Sequence, residues 1–311
     1  MVDIDLDAVI SNKDKRSIAR LITMIEDRDE GAINIVKEAY KKAGSAWIIG
    51  VTGPAGVGKS TLLDCLIGEY RKAGLTVGII AIDPTSPFSG GAILADRIRM
   101  QLHSVDEGVF IRSMGTRGRL GGISPATNDV VDLLDAFGMD VIIIETVGVG
   151  QDEVDIVKIA HSIIVVLMPG MGDEVQIMKA GLMEIADIFV INKSDREGVE
   201  RLQTELEMLL GLTSFDGEWK PRIVKTVAPK REGIEELVEV LKAHREFLYL
   251  SSKLKIRRYQ AVKQRFLDTY QELSIAKVIS QSSEEELENI LYNIYERKVD
   301  PYTAAESFLK K

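Results

Sequence analysis

The run Gly53-Pro54-Ala55-Gly56-Val57-Gly58-Lys59-Ser60-Thr61 has the spacing G-x-x-x-x-G-K-[ST], a pattern suited to holding a chain of phosphates. Its glycines let the backbone curl until successive N–H groups point inward at the α- and β-phosphates of a nucleotide. Lys59 would reach the β- and γ-phosphates, and the Ser60 hydroxyl would ligate magnesium. A helix opening near Lys59 adds the positive end of its dipole at the same place. Attraction on this local scale lets an acidic protein bind a polyanion.

A second run reads a base. The apolar residues Ile188-Phe189-Val190-Ile191 lead directly into Asn192-Lys193-Ser194-Asp195. A carboxylate at Asp195 can accept hydrogen bonds from guanine N1–H and N2–H together, whereas adenine would meet it with an unprotonated N1. Three fixed letters alone are a weak signal. At the end of an apolar strand downstream of a phosphate loop, they point to guanine. Lys193 is expected along the base and ribose, with Val227 and Ala228 closing the base pocket, so GTP and GDP are the expected nucleotides.

Two further apolar runs end in an acid: 77–82 in Asp83, and 141–144 in Glu145, which is followed by Thr146-Val147-Gly148. Ligands of open α/β sheets gather at the carboxyl ends of the strands, which makes Asp83 and Glu145 candidate magnesium ligands, although strand-end acids also serve as ordinary turn and cap residues. Glycine-rich segments at 86–91 and 117–122 read as parts that a γ-phosphate could order, or, for the second, as a surface loop. Val149 follows Gly148, where small signalling GTPases place a water-positioning glutamine, so slow intrinsic hydrolysis is expected. Gln151, Asp152 and Lys179 compete for a catalytic role.

These residues need a scaffold. Short β-branched runs at 47–51, 77–82, 109–111, 141–144, 163–167, 188–191 and 223–227 alternate with helix-length segments, the signature of a mainly parallel α/β sheet of about seven strands with helices on both faces. Ahead of it, 11–44 carries apolar residues at helical spacing (Ile18, Leu21, Ile22, Ile25, then Ile33, Ile35, Val36, Ala39), read as two amphipathic helices. Behind it the pattern is helical throughout: 253–273, then a capping box at Ser283 and Glu286 opening a stripe of Leu287, Ile290, Leu291 and Ile294. The expected organisation is a helical extension at 1–45, a nucleotide domain at 46–248 and a helical arm at 249–311 whose stripe is best buried against a second subunit.

Composition narrows the partners. In 311 residues there are 48 acidic against 39 basic side chains, a formal charge of -9, which disfavours a nucleic-acid or anionic-membrane binder. The basic run Lys253, Lys255, Arg257, Arg258, Lys263 and Arg265 is interleaved with apolar residues and reads as the solvated side of a helix. A single cysteine, Cys65, and an amino terminus with Asp3, Asp5 and Asp7 suit a cytoplasmic protein, and no stretch reaches the roughly 18 apolar residues of a membrane span.

With Asp83-Pro84-Thr85-Ser86-Pro87-Phe88-Ser89-Gly90-Gly91, the 93–100 segment containing Asp96 and Arg97, Glu145-Thr146-Val147-Gly148-Val149-Gly150-Gln151, and Pro169-Gly170-Met171-Gly172-Asp173-Glu174, the chain resembles the methylmalonyl-CoA mutase-associated GTPase chaperones of the MeaB type. The likeness is dense from about 48 to 195. It implies a P-loop GTPase of the SIMIBI class, usually a homodimer joined through its carboxyl-terminal arm, whose GTP cycle gates delivery of adenosylcobalamin to the mutase and protects that enzyme. It further implies a metal shell of Ser60, Asp83, Asp96 and Glu145. The stretch from Pro169 to Lys179 corresponds to an extra switch answering to the mutase, and the catalytic expectation falls on Lys59, Glu145 and Lys179. Ser194 stands where alanine is common, and Met114-Gly115-Thr116 replaces a more serine- and proline-rich run.

Three other readings compete, one of them a pure interaction protein whose nucleotide is structural and which would show no turnover even with its partner present. Nickel-inserting GTPases need Cys/His clusters, which one cysteine and three histidines do not supply. A protein or arginine/ornithine transport-related kinase would use the same P-loop but needs an acceptor pocket and a base, and the sequence identifies neither.

Overall fold

A computed structural model of the chain describes residues 5–83, 103, 105–115, 125–146, 155–170, 181–212, 214–215 and 218–309. The strands are β1 (Trp47–Thr52), β2 (Val77–Asp83), β3 (Val109–Gly115), β4 (Val141–Glu145), β5 (Ser162–Leu167), β6 (Ile188–Asn192) and β7 (Arg222–Thr226). They form one seven-stranded sheet in the order β3-β2-β4-β1-β5-β6-β7, with every neighbouring pair parallel. The order turns back on either side of β1, so the loop leaving β1 sits where an α/β sheet opens a crevice at its carboxyl ends.

The central strands are buried along nearly their whole length because both of their faces are covered, and their polar residues, Thr52, Glu145, Ser162 and Asn192, stand only at their ends. Ile142 and Ile144 of β4 point to one side while Val141 and Ile143 point to the other. On the second side lie α4 (Lys59–Lys72) and α8 (Ile234–Leu250), burying Leu62, Leu66, Leu237 and Leu241 with Ile49, Val51 and Ile164. On the first side lie α1 (Leu6–Ser11), α2 (Lys15–Glu26), α3 (Glu30–Lys42), α5 (Pro125–Ala136) and α7 (Val199–Gly211). A short helix, α6 (Leu182–Ile185), precedes β6.

The two helices expected over 11–44 are α2 and α3, and a further short helix, α1, precedes them. Asp5, Asp14 and Asp29 each turn a side-chain oxygen onto the N–H groups of the following turn, which sets the breaks between them. Ile18, Leu21, Ile22 and Ile25 are buried as expected, each contributing about 1.5–3 kcal/mol. Ala39 is buried as expected, whereas Ile33, predicted on the same stripe, is exposed and Ala32 takes the inward position. Arg112 of the edge strand β3 pairs with Glu26 and donates to Thr23 Oγ1 at 3.0 Å, fastening α2 there.

Packing density divides the chain into two compact units, 1–257 and 258–311. Helix α9 (Lys253–Ser280) begins in the first, where Leu254 is buried. The second unit holds the rest of α9, α10 (Glu284–Tyr295) and α11 (Pro301–Leu309). Ser283 caps α10 by accepting Glu286 N–H at 3.1 Å. Tyr259, Phe266, Tyr270 and Leu273 of α9 are exposed, the Phe266 and Tyr270 rings stacking at 6.2 Å. Among the described residues no helix is long and apolar enough to cross a membrane.

The basic run at the start of α9 departs from its expected solvated role at Lys253, which pairs with Glu218, and at Arg257. Arg257 forks onto Asp187, with Nη2 2.6 Å from Oδ1 and Nη1 2.9 Å from Oδ2, and it also donates to His161 O at 2.8 Å.

Candidate functional site

The chain leaves β1 through a turn that two glycines make possible. Gly53 has φ +136°, and a Cβ there would lie 2.2 Å from the Val166 carbonyl oxygen of β5. Gly58, with φ +96°, stands immediately before α4, and its Cβ would lie 2.5 Å from Asn192 Nδ2. Both positions exclude a side chain by backbone angle and by space. Between them Pro54, Ala55, Gly56 and Val57 form the loop, and Val57 is fully buried beneath it. Lys59 is buried, and its Nζ donates to Gly53 O at 2.7 Å and Pro54 O at 3.0 Å, which keeps an ammonium inside the curl of the loop. Ser60 and Thr61 continue the first turn of α4.

Beside the loop, β4 delivers Glu145 in register with Val51 of β1. The Ser60 hydroxyl donates to Glu145 Oε1 at 2.9 Å, and both residues are buried. Thr146 then crosses back to β1, its N–H on Val51 O at 3.0 Å and its Oγ1 2.8 Å from Thr52 Oγ1. Asp83 ends β2 on the other side of β4, so Asp83, Glu145 and the phosphate loop occupy the ends of three adjacent strands. Asp96, Gln151, Asp152 and Lys179, together with the segments 86–91 and 117–122, lie outside the described residues.

On the far side of the loop, the Asn192 side chain joins three segments. Its Nδ2 donates to Val57 O at 2.9 Å, while its Oδ1 accepts Thr226 Oγ1 at 3.1 Å and Ala228 N–H at 3.2 Å. Lys193, held at φ +56°, donates to Gly56 O at 2.7 Å and reaches Met168 Sδ at 3.3 Å. Asp195 extends from the same turn and pairs with Lys230 Nζ at 3.3 Å. Val227 and Ala228 are buried at the exit of β7, with the Cys65 thiol against Ala228 O at 3.1 Å. Burial pushes the Cys65 thiol pKa up, which keeps it protonated and able to donate there.

The structure therefore gathers residues 53–61, Glu145, Asn192, Lys193, Asp195, Val227 and Ala228 at one edge of the sheet. Sequence reasoning overlooked Thr226, Met168 and Lys230. Only Lys230 had a usable signal, a cation in the same turn as Ala228.

A family model described as methylmalonyl-CoA mutase-associated GTPase MeaB matches residues 18–284. The chain belongs to the MeaB family of GTPases. A putative GTPase of Pyrococcus abyssi is 52% identical over 96% of this chain and 93% of its own length. The GTPase ArgK of Escherichia coli is 34% identical over 80% of this chain and 78% of its own. The mouse mitochondrial methylmalonic aciduria type A homolog is 36% identical over 68% of this chain and 52% of its own length. In three dimensions, the crystal structure of an LAO/AO transport system kinase superposes with a TM-score of 0.71 at 24% identity, covering 99% of this chain and 98% of that one, a likeness of fold. As a MeaB-family P-loop protein, the chain is a GTPase that converts GTP and water to GDP and phosphate.

Proposed function

We propose that this GTPase is a chaperone for an adenosylcobalamin-dependent acyl-CoA mutase, of which methylmalonyl-CoA mutase is the foremost candidate, and that its GTP cycle gates cofactor loading and protects the mutase. The family description and the mouse relative's name support the mutase association. The observation that carries the nucleotide half is the junction at Asn192, where one buried amide ties the phosphate loop to the turn that presents Asp195.

In this reading the N–H groups of 53–61 cradle the phosphates, Lys59 exchanges its loop carbonyls for the β- and γ-phosphates, and Asp195 accepts guanine N1–H and N2–H. Lys193, Val227 and Ala228 flank the base. The Ser60 hydroxyl and Glu145 carboxylate, already 2.9 Å apart, are hard oxygen donors that suit Mg2+, with Asp83 and Asp96 completing the shell. When bound, magnesium neutralises charge on the β- and γ-phosphate oxygens. Lys59, Glu145 and Lys179 are the catalytic set, and turnover without the mutase is slow. The exposed aromatic and aliphatic face of α9 supports a homodimer formed through the arm, and the single buried cysteine suits the cytoplasm.

Release of phosphate from GTP, measured with and without such a mutase, tests the proposal. The expected result is a faster rate in the mutase's presence. A rate indifferent to every such mutase removes the chaperone role, and stable transfer of label to protein or arginine would replace it with the kinase reading.

A further inference from the structure

Lys230 faces the carboxylate that would meet the base, and no motif demands it. It closes the short 3-10 turn Ala228–Lys230 after β7, its N–H donating to Val227 O at 2.9 Å. Arg231 follows in the left-handed conformation, φ +59°, with its N–H on Ala228 O at 3.0 Å, and Val227 N–H bonds Glu232 O at 3.1 Å. The turn carrying Asp195 is pinned to this one. Ser194 N–H donates to Thr226 O at 3.0 Å, and Asn192 Oδ1 holds both Thr226 Oγ1 and Ala228 N–H. The 3.3 Å approach of Lys230 Nζ to Asp195 Oδ2 thus joins two backbones fixed to one another, although the side chains are 56% and 44% exposed.

A carboxylate that must receive two hydrogen bonds from one flat edge needs a defined orientation. A half-exposed aspartate without a neighbour has several rotamers, and choosing one costs entropy at the moment of binding. An ammonium on Oδ2 selects the orientation beforehand and leaves acceptor positions on both oxygens for the base, since a carboxylate has about four lone-pair sites.

We infer that Lys230 is a positioning residue for guanine, which acts by orienting Asp195 and so sharpens the distinction between bases that offer two donors and bases that offer one. The inference rests on the reading of Asp195 as the guanine acceptor. It assigns Lys230 to the discrimination of the 2-amino group in particular. Hypoxanthine offers only N1–H, which a swinging carboxylate can still follow, whereas guanine requires both oxygens to be in plane.

The test is titration of the full-length protein with GDP and with inosine diphosphate in magnesium buffer, comparing wild type, Lys230→Ala, Lys230→Arg and Asp195→Ala. The ratio of the two affinities is the readout, because damage to the turn would weaken both nucleotides alike. Lys230→Ala is expected to lower the GDP preference about threefold, the scale of an exposed ion pair, with Lys230→Arg restoring it and Asp195→Ala abolishing it. If Lys230→Ala weakens both diphosphates equally, or neither, while Asp195→Ala still abolishes the preference, the role of Lys230 is overturned and the reading of Asp195 survives. If Asp195→Ala keeps the wild-type ratio, that reading fails and the role of Lys230 fails with it.

Discussion

Strand β6 has an aspartate beyond each end, and the two are treated in opposite ways. Asp187, at the amino end, is buried. Its carboxylate accepts Ile163 N–H at 2.9 Å and the Arg257 fork, and it stands 3.3 Å from His244 Nε2, while His244 Nδ1 meets Ser162 Oγ at 2.8 Å. Burial pushes the Asp187 pKa up, but hydrogen bonds from Arg257 and His244 outweigh it and hold it below the usual carboxylate range. Asp195, past the carboxyl end, is half-exposed and meets a single lysine. Asp187 is surrounded by protein donors on every side that matters, which makes it structural. Asp195 keeps acceptor capacity facing solvent, as a group awaiting a ligand must.

That contrast predicts separable losses at the two edges. The largest effect falls at the carboxyl edge. Lys59→Ala is expected to lower GTP turnover by about 10²–10³-fold, on the scale of removing one charge-stabilising donor, while urea unfolding shifts by no more than about 1 kcal/mol. At the amino edge the pattern reverses. Arg257→Met leaves a buried carboxylate short of its main partner and should lower the unfolding free energy by about 3 kcal/mol, with turnover per folded molecule preserved. A loss of turnover without a loss of stability in that variant would erase the distinction between the edges.

Acid titration sharpens the same comparison. Because the folded pKa of Asp187 is depressed, its stabilisation is fully present above the unfolded carboxylate value of about 3.9 and disappears as pH falls through the folded value. Unfolding free energy measured in urea between about pH 5 and pH 2 should therefore fall less steeply in Arg257→Met than in the wild type. The smallest effect belongs to exposed pairs. Lys225 and Glu200, 3.3 Å apart on the surface, should be worth less than about 1 kcal/mol, so Lys225→Ala should leave both the urea midpoint and the rate nearly unchanged.

The two edges also differ in how far the sequence discloses them. The phosphate loop is legible because its chemistry is local: Gly53, Gly58, Lys59 and Ser60 act within one turn, and the spacing itself is the signal. The strands are legible because burial on both faces leaves unbroken apolar runs such as Val141-Ile142-Ile143-Ile144. The Asp187 cluster is not, since Arg257 lies 70 positions away and reads as one cation in a solvated series until α9 docks. Asn192 is a middle case. The motif announces it, but its contacts with Val57, Thr226 and Ala228 depend on the parallel order β1-β5-β6-β7, which periodicity does not fix. Ile33 shows the reverse error, an apolar residue placed on the stripe that α3 nonetheless leaves in water, since the face it turns inward carries Ala32, Ile35, Val36 and Ala39.

The central claim is that a carboxylate at Asp195 reads guanine for a nucleotide held on the 53–61 loop. Its most direct test is the hydrolysis of GTP and of xanthosine triphosphate by the wild type and by Asp195→Asn. The asparagine amide can donate to the xanthine 2-oxygen, where the aspartate can only repel it. The wild type should favour GTP, and the variant should reverse that preference by about tenfold or more. An Asp195→Asn protein that still favours GTP as strongly as the wild type would contradict the account.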